Sequence, residues 1–174
     1  MSKKVYKKLE NITPLGLKRF LLTKPQLDEN AFYCIFCQPD EHIVSSFQQL
    51  LDYGVPLPSD IWVFIADSEK SVDLANLLTN YRETFPLEGA AYNAASTLNI
   101  PLMEWVTEKI GWKPEYLRHA LEYVMPTEKR RRFIRWASEE SDIGAVDFYV
   151  WLRVKMTTEE MIEFIYDDEA SKTL

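Results

Sequence analysis

The chain has 174 residues, of which 47% are hydrophobic, and this apolar content is sufficient for a folded core. Its longest apolar runs, such as residues 61–66, are far shorter than the roughly 18 to 20 residues that span a bilayer, so no membrane helix is expected. The formal net charge of −7 argues against a surface built to cover the phosphates of a nucleic acid.

The first residues and the cysteines both point to the cytoplasm. Residues 1–14 carry charge but contain no apolar segment and no small-residue cleavage site, so no secretory signal is predicted. Cys34 and Cys37 are too few and too close together to staple a secreted fold. We therefore expect a protein that acts in the cytoplasm, or in the host cytoplasm if it comes from a virus or phage.

One apolar pattern recurs along the whole chain. An apolar residue is followed, three and four positions later, by two more, and these offsets place all three on one side of a helix. In chain order the six occurrences are Leu17/Phe20/Leu21, Phe47/Leu50/Leu51, Leu74/Leu77/Leu78, Leu102/Trp105/Val106, Phe133/Trp136/Ala137 and Met161/Phe164/Ile165. Their middle residues are 30, 27, 28, 31 and 28 positions apart. A period of this size is typical of proteins built from stacked repeats.

A second short apolar segment precedes each pattern after the first. These segments are residues 31–37, 61–66, 90–96, 119–124 and 148–152. Two of them, 61–66 and 148–152, are aromatic and β-branched and could be strands if taken alone. Their alanine-rich counterpart at 90–96 favours a helix, so we predict a helix for every segment.

Prolines and glycines follow the same period. Pro39, Pro101 and Pro126 lie between the two segments of a unit, where a proline can open the second helix, and Gly54 is predicted to cap a second helix. The sequence therefore predicts one all-α domain over residues 1–174, a solenoid of about six stacked helix-turn-helix repeats with short loops. The approximate repeats are 4–30, 31–59, 60–88, 89–115, 116–144 and 145–170.

Two of these units resemble the ankyrin repeat family. Residues 40–58 are similar to the second helix and exit turn of an ankyrin repeat, with Leu50, Leu51 and Gly54 at the matching places. Residues 90–114 resemble a whole divergent repeat of the kind seen in viral, phage and bacterial ankyrin proteins. The resemblance implies that a concave helical surface recognises a protein partner, and it carries over no catalytic residue.

The units also depart from the ankyrin pattern. No unit has the family's complete Thr-Pro-Leu-His opening, although residues 12–22 contain Thr-Pro-Leu at the start of a predicted second helix. The units are shorter than the roughly 33 residues of an ankyrin repeat, so we expect tight loops in place of β-hairpin fingers.

An aromatic residue in the first helix of five units is a candidate partner-binding feature. If first helices line the inner face, these residues would form a strip suited to binding, because Tyr and Trp are common at interaction hot spots. The alternative is that they pack between repeats. They are Tyr33, Trp62, Tyr92, Tyr123 and Tyr149.

A basic run at the start of a predicted second helix is the other candidate. Lys129, Arg130, Arg131 and Arg132 lie where positive charge opposes the helix dipole. Such a run could anchor an acidic protein surface or a phosphate, and a solvated helix face is the equally simple alternative.

Cys34 and Cys37 form a C-x-x-C motif that could be a redox pair or, with His42, part of a zinc site. The strand-to-helix context of a redox motif is missing, and the other histidine, His119, is more than two repeats away. Two small buried residues are the favoured interpretation.

His119 has no serine or cysteine close in sequence, which favours a structural role. No glycine-rich phosphate loop is present. We therefore predict no cofactor and no metal.

Together these patterns predict a non-catalytic protein–protein interaction module, such as an effector or inhibitor that binds and blocks a target protein. One alternative is a nucleic-acid-linked protein, either a binder through residues 129–135 or an acidic mimic of DNA. Another is an enzyme whose polar residues converge only on folding.

Overall fold

Every regular element in the described part of the computed structural model is a helix, and this confirms the all-α prediction. The structure describes residues 3–81, 86–113, 115–116, 119–120 and 127–140. The helices are, in chain order, α1 (Lys3–Leu9), α2 (Pro14–Leu21), α3 (Asn30–Ile35), α4 (Asp40–Tyr53), α5 (Ile61–Asp67), α6 (Ser71–Tyr81), α7 (Leu87–Thr97), α8 (Ile100–Ile110) and α9 (Thr127–Glu140). Segment 61–66, which could have been a strand, is therefore helical.

The helices pack in a regular order. Within units, α3 contacts α4, α5 contacts α6 and α7 contacts α8. Between units, α1 contacts α3 and α5 contacts α7, while α2, α4, α6 and α8 contact one another in succession. We call α1, α3, α5 and α7 the first helices, and α2, α4, α6, α8 and α9 the second helices.

Local sequence explains where the helices begin and end. Thr13 caps α2 by accepting a 3.2 Å hydrogen bond from the Gly16 amide, and Pro14 opens the helix. The helix α4 ends at Tyr53 and is capped by Gly54, whose φ of 81° is the left-handed conformation that glycine adopts at least cost. The predicted glycine cap is therefore confirmed.

The predicted apolar positions of the second helices face the core. Fully or nearly buried positions are Leu17, Phe47, Leu50, Leu51, Leu74, Leu78, Leu102, Trp105, Val106, Phe133 and Ala137. Half-buried positions that pack against them are Phe20, Leu21, Leu77 and Trp136. The sixth predicted set, Met161/Phe164/Ile165, lies outside the described residues. Burial of each large apolar side chain stabilises the fold by roughly 1.5 to 3 kcal/mol, so these rows hold neighbouring units together.

Side-chain amides in the turns between paired helices also join neighbouring units. Gln38 Nε2, between α3 and α4, donates a 2.7 Å hydrogen bond to the carbonyl oxygen of Leu9 at the end of α1. Asn99 Nδ2, between α7 and α8, donates a 2.8 Å bond to the carbonyl oxygen of Ala66 near the end of α5. Each bond satisfies a carbonyl that a helix end leaves without an intrahelical partner.

Candidate functional site

The exposed side of the first helices differs from the predicted aromatic strip. Tyr33 on α3 is half-buried, and Tyr92 on α7 is 37% exposed. Trp62 on α5 is only 4% exposed, so it belongs to the core and is not available to a partner. Tyr123 and Tyr149 lie outside the described residues.

Trp62 is buried because it occupies the inward register of α5. It is the second member of the buried pair Ile61/Trp62, which corresponds to the buried pair Ala90/Ala91 on α7. Its indole lies against Gly89, where an added Cβ would be 3.3 Å from Trp62 Cδ1. The outward position of α5 is the next residue, Val63, which is 46% exposed.

Tyr33 links two consecutive units. Its hydroxyl donates a 2.8 Å hydrogen bond to Oδ1 of Asp60, and its ring lies 4.8 Å from the Phe64 ring between centroids. The hydrogen bond to Asp60, followed by desolvation, raises the pKa of Tyr33 to about 12. The same arrangement occurs one unit earlier, where the Tyr6 hydroxyl donates a 2.6 Å bond to Asp28. Tyr33 therefore packs in part between repeats, as the alternative interpretation expected.

Between α3 and α5 the structure forms an open groove of about 590 Å³, which we call the first-helix groove. Its apolar wall includes Tyr33, Phe36, Val63 and Phe64. The Phe36 and Phe64 rings come from successive units and lie 5.5 Å apart between centroids. A groove of this size and polarity can hold an apolar side chain of another molecule.

Three carboxylates line the same groove. They belong to Asp40, Asp67 and Glu69, all of them exposed. None of the described residues that line the groove is a lysine or an arginine, and within the described part of the chain none of the three carboxylates is in an ion pair. The groove therefore combines an apolar wall with a negatively charged rim.

The basic run borders an adjoining groove of about 390 Å³. Lys129 and Arg132 are exposed and line it, whereas the side chains of Arg130 and Arg131 lie outside the described residues. Asp67 and Glu69 line this groove too. Because both signs of charge are present, the surface around the basic run does not have the uniform positive potential that suits a polyanion.

The two cysteines lie in different environments. Cys34 is buried, and desolvation raises its pKa to about 11. Cys37 follows the end of α3, is exposed and lines the first-helix groove, so the prediction that both cysteines are buried is wrong for Cys37. Its position past the helix end frees it from the inward register of α3.

His42 lies near a carboxylate, and His119 packs against an aromatic ring. Nε2 of His42 is 3.8 Å from a carboxylate oxygen of Glu41, and the His119 ring packs edge to face against Tyr92 at 5.3 Å. Within the described residues, no group of three or more His, Cys, Asp and Glu side chains could hold a metal ion.

Sequence reasoning missed the groove residues other than Tyr33. Phe36 and Phe64 lie in the apolar segments 31–37 and 61–66 but were not selected as candidates, and Asp67 and Glu69 were not considered. The burial pattern shows the register: residues 61/62 and 90/91 are buried, and the residues that follow them, Val63 and Tyr92, are exposed. The exposed residue at this position of α5 is therefore Val63, and not the aromatic Trp62 that the sequence analysis selected.

A second exposed apolar surface lies on the other side of the stack, between α2 and α4. This groove of about 770 Å³ includes Leu15 and Leu22, which are 60% and 76% exposed. Lys18, Lys24 and Asp52 also line it. It provides a matched surface for control substitutions.

Comparison with known proteins finds no matching family model, no matching curated protein and no matching solved structure. The ankyrin resemblance therefore rests on the sequence segments quoted above. None of the helices in the described ranges combines the length and apolar character needed to cross a bilayer.

Proposed function

We propose that this protein is a non-catalytic interaction module, an ankyrin-like stack of two-helix repeats that binds another protein through the first-helix groove. One observation carries the proposal: consecutive units leave between them an open groove of about 590 Å³ with an apolar wall that includes the exposed Val63. Exposed apolar surface rimmed by polar groups is typical of a protein-binding site.

The packing order supports the stacked-repeat part of this proposal. Second helices contact one another in succession from α2 to α8, as expected if each unit completes the core of its neighbour. The Tyr6–Asp28 and Tyr33–Asp60 hydrogen bonds each join a first helix to a residue just before the next first helix.

The chemistry of the groove supports binding in a reducing compartment. Cys37 is a free, exposed thiol on its lining, and exposed thiols persist where disulfides are rare. We accordingly propose action in the cytoplasm. Occupation of a target's surface by this groove would make the protein an effector or inhibitor that blocks that target.

Peptide-display selection on the full chain, followed by footprinting of individual purified ligands, tests the proposal. Cys37 serves as the reporter because it lines the groove and is accessible to alkylation. We expect saturable ligands that slow alkylation of Cys37 in proportion to occupancy. Failure to obtain a saturable ligand, or ligands that leave the Cys37 alkylation rate unchanged, would contradict the proposed site.

A further inference from the structure

We propose that the segment seated in the first-helix groove is cationic: a peptide stretch in which lysine or arginine flanks an apolar anchor. This inference rests on the proposed function and specifies the partner's chemistry. Two properties of the same groove carry it, its apolar wall and the carboxylates along its rim.

The rim supplies three carboxylates, two of which, Asp67 and Glu69, also line the adjoining groove that contains Lys129 and Arg132. Asp40, Asp67 and Glu69 line the groove, and no lysine or arginine is found among its described lining residues. The Lys113–Glu88 ion pair and the 3.8 Å contact between His42 and Glu41 involve none of these three carboxylates. A partner with positive charge would therefore find acceptors that intramolecular pairing has not already used.

Helix stability does not explain the position of Asp67. It is the last residue of α5, where a carboxylate meets the negative end of the helix dipole and is locally unfavourable. By contrast, Asp40 begins α4, where negative charge stabilises the helix. Asp67 is thus the carboxylate whose position the helix dipole does not explain.

The apolar wall defines the rest of the ligand. Phe36, Val63 and Phe64 offer a surface between two successive units, with Val63 nearly half exposed. One leucine, phenylalanine or tryptophan side chain inserted there would bury this surface, and neighbouring basic residues would then lie at the rim. A nucleic acid fits less well, because its phosphates would approach the rim carboxylates.

The test uses the full chain, the display-selected peptides and two matched double variants. Asp67→Asn/Glu69→Gln neutralises the rim, while Glu104→Gln/Glu108→Gln removes the same amount of charge from exposed positions on α8. We expect selected peptides to be enriched in Lys or Arg next to an apolar residue. Their dissociation constants should rise roughly tenfold in the rim variant and change little in the α8 variant. For the wild type, the dissociation constants should increase with salt concentration.

The outcomes separate this inference from the proposed function. Peptides that protect Cys37 but bind the rim variant as tightly as the wild type, or that are enriched in Asp and Glu, would overturn the cationic assignment alone. A loss of affinity of equal size in the α8 variant would also overturn it, since net charge and not the rim would then be responsible. Thermal melts of both variants establish that each is folded.

Discussion

Asn99 joins two consecutive units through a single side chain. Its Oδ1 accepts a 3.0 Å hydrogen bond from the Leu102 amide and so caps α8, while its Nδ2 donates a 2.8 Å bond to the carbonyl oxygen of Ala66 in the preceding unit. Nδ2 also lies 3.0 Å from Oγ of the buried Ser71. One residue therefore fixes both where a helix begins and how its unit meets the one before.

We expect Asn99→Ala to lower the free energy of unfolding by about 2 kcal/mol, roughly half from the lost helix cap and half from the lost inter-unit bond. Urea denaturation followed by circular dichroism measures the change. Asn80→Ala is the control, because Asn80 is exposed on α6 and no hydrogen bond of its side chain is found in the described ranges. Equal stability of the two variants would show that Asn99 does not couple the units.

The Tyr33–Asp60 bond predicts a specific loss of stability at alkaline pH. The pKa of Tyr33 is raised from its ordinary value near 10 to about 12 in the folded state, so the folded chain binds the phenolic proton more tightly than the unfolded chain. The contribution of this bond to the free energy of unfolding is fully present below pH 10 and is lost as pH rises towards 12. Tyr33→Phe should therefore show a shallower decline over this window.

Unfolding at pH 9, 10, 11 and 12 in wild type and Tyr33→Phe measures this difference. Tyr81→Phe is the control, since Tyr81 is exposed at the end of α6 and has no hydroxyl hydrogen bond among the described residues. Parallel pH profiles for wild type and Tyr33→Phe would be inconsistent with the bond.

The sequence was sufficient for the helical fold and its core, and insufficient for the binding surface. Offsets of three and four identified Phe47/Leu50/Leu51 as buried because helix geometry is local. In the structure Trp62 packs against Gly89 of the next unit and is buried, whereas Val63 is exposed. A spacing argument cannot distinguish the two residues, because 62 and 63 fit the repeat period almost equally well.

Contacts between units were the other feature beyond sequence reasoning. Tyr33 and Asp60 lie 27 positions apart, and neither belongs to an apolar pattern that would pair them. Their bond follows only once α3 and α5 are placed side by side. The same holds for Cys37, whose exposure depends on α3 ending at Ile35.

Gly89 should resist substitution despite its place in a helix. Gly89 is the third residue of α7, and its backbone lies close to the Trp62 indole. Because Trp62 Cδ1 would lie 3.3 Å from an added Cβ, we expect Gly89→Val to destabilise by about 1 to 3 kcal/mol. Glu104→Val, at an exposed position of α8, controls for the helix propensity of valine. A Gly89→Val variant at least as stable as this control would contradict the packing.

The cysteines should differ in reactivity. Cys34 is buried with a pKa raised to about 11, whereas Cys37 is exposed. Because the thiolate is the reacting form, brief treatment with iodoacetamide at neutral pH should give one adduct per folded chain, at Cys37, and two after denaturation. Peptide mass spectrometry locates the adducts. Rapid modification of Cys34 in the folded protein would show that α3 is not packed as described.

The most direct test of the central claim compares the same substitution on two faces of the stack. Val63→Arg places a long charged side chain in the apolar wall of the first-helix groove, and Leu15→Arg places one on the exposed face of α2. Calorimetric titration with a ligand selected on the wild type should show affinity reduced at least roughly tenfold for Val63→Arg and unchanged for Leu15→Arg. Wild-type affinity in folded Val63→Arg, or loss of binding confined to Leu15→Arg, would contradict the account.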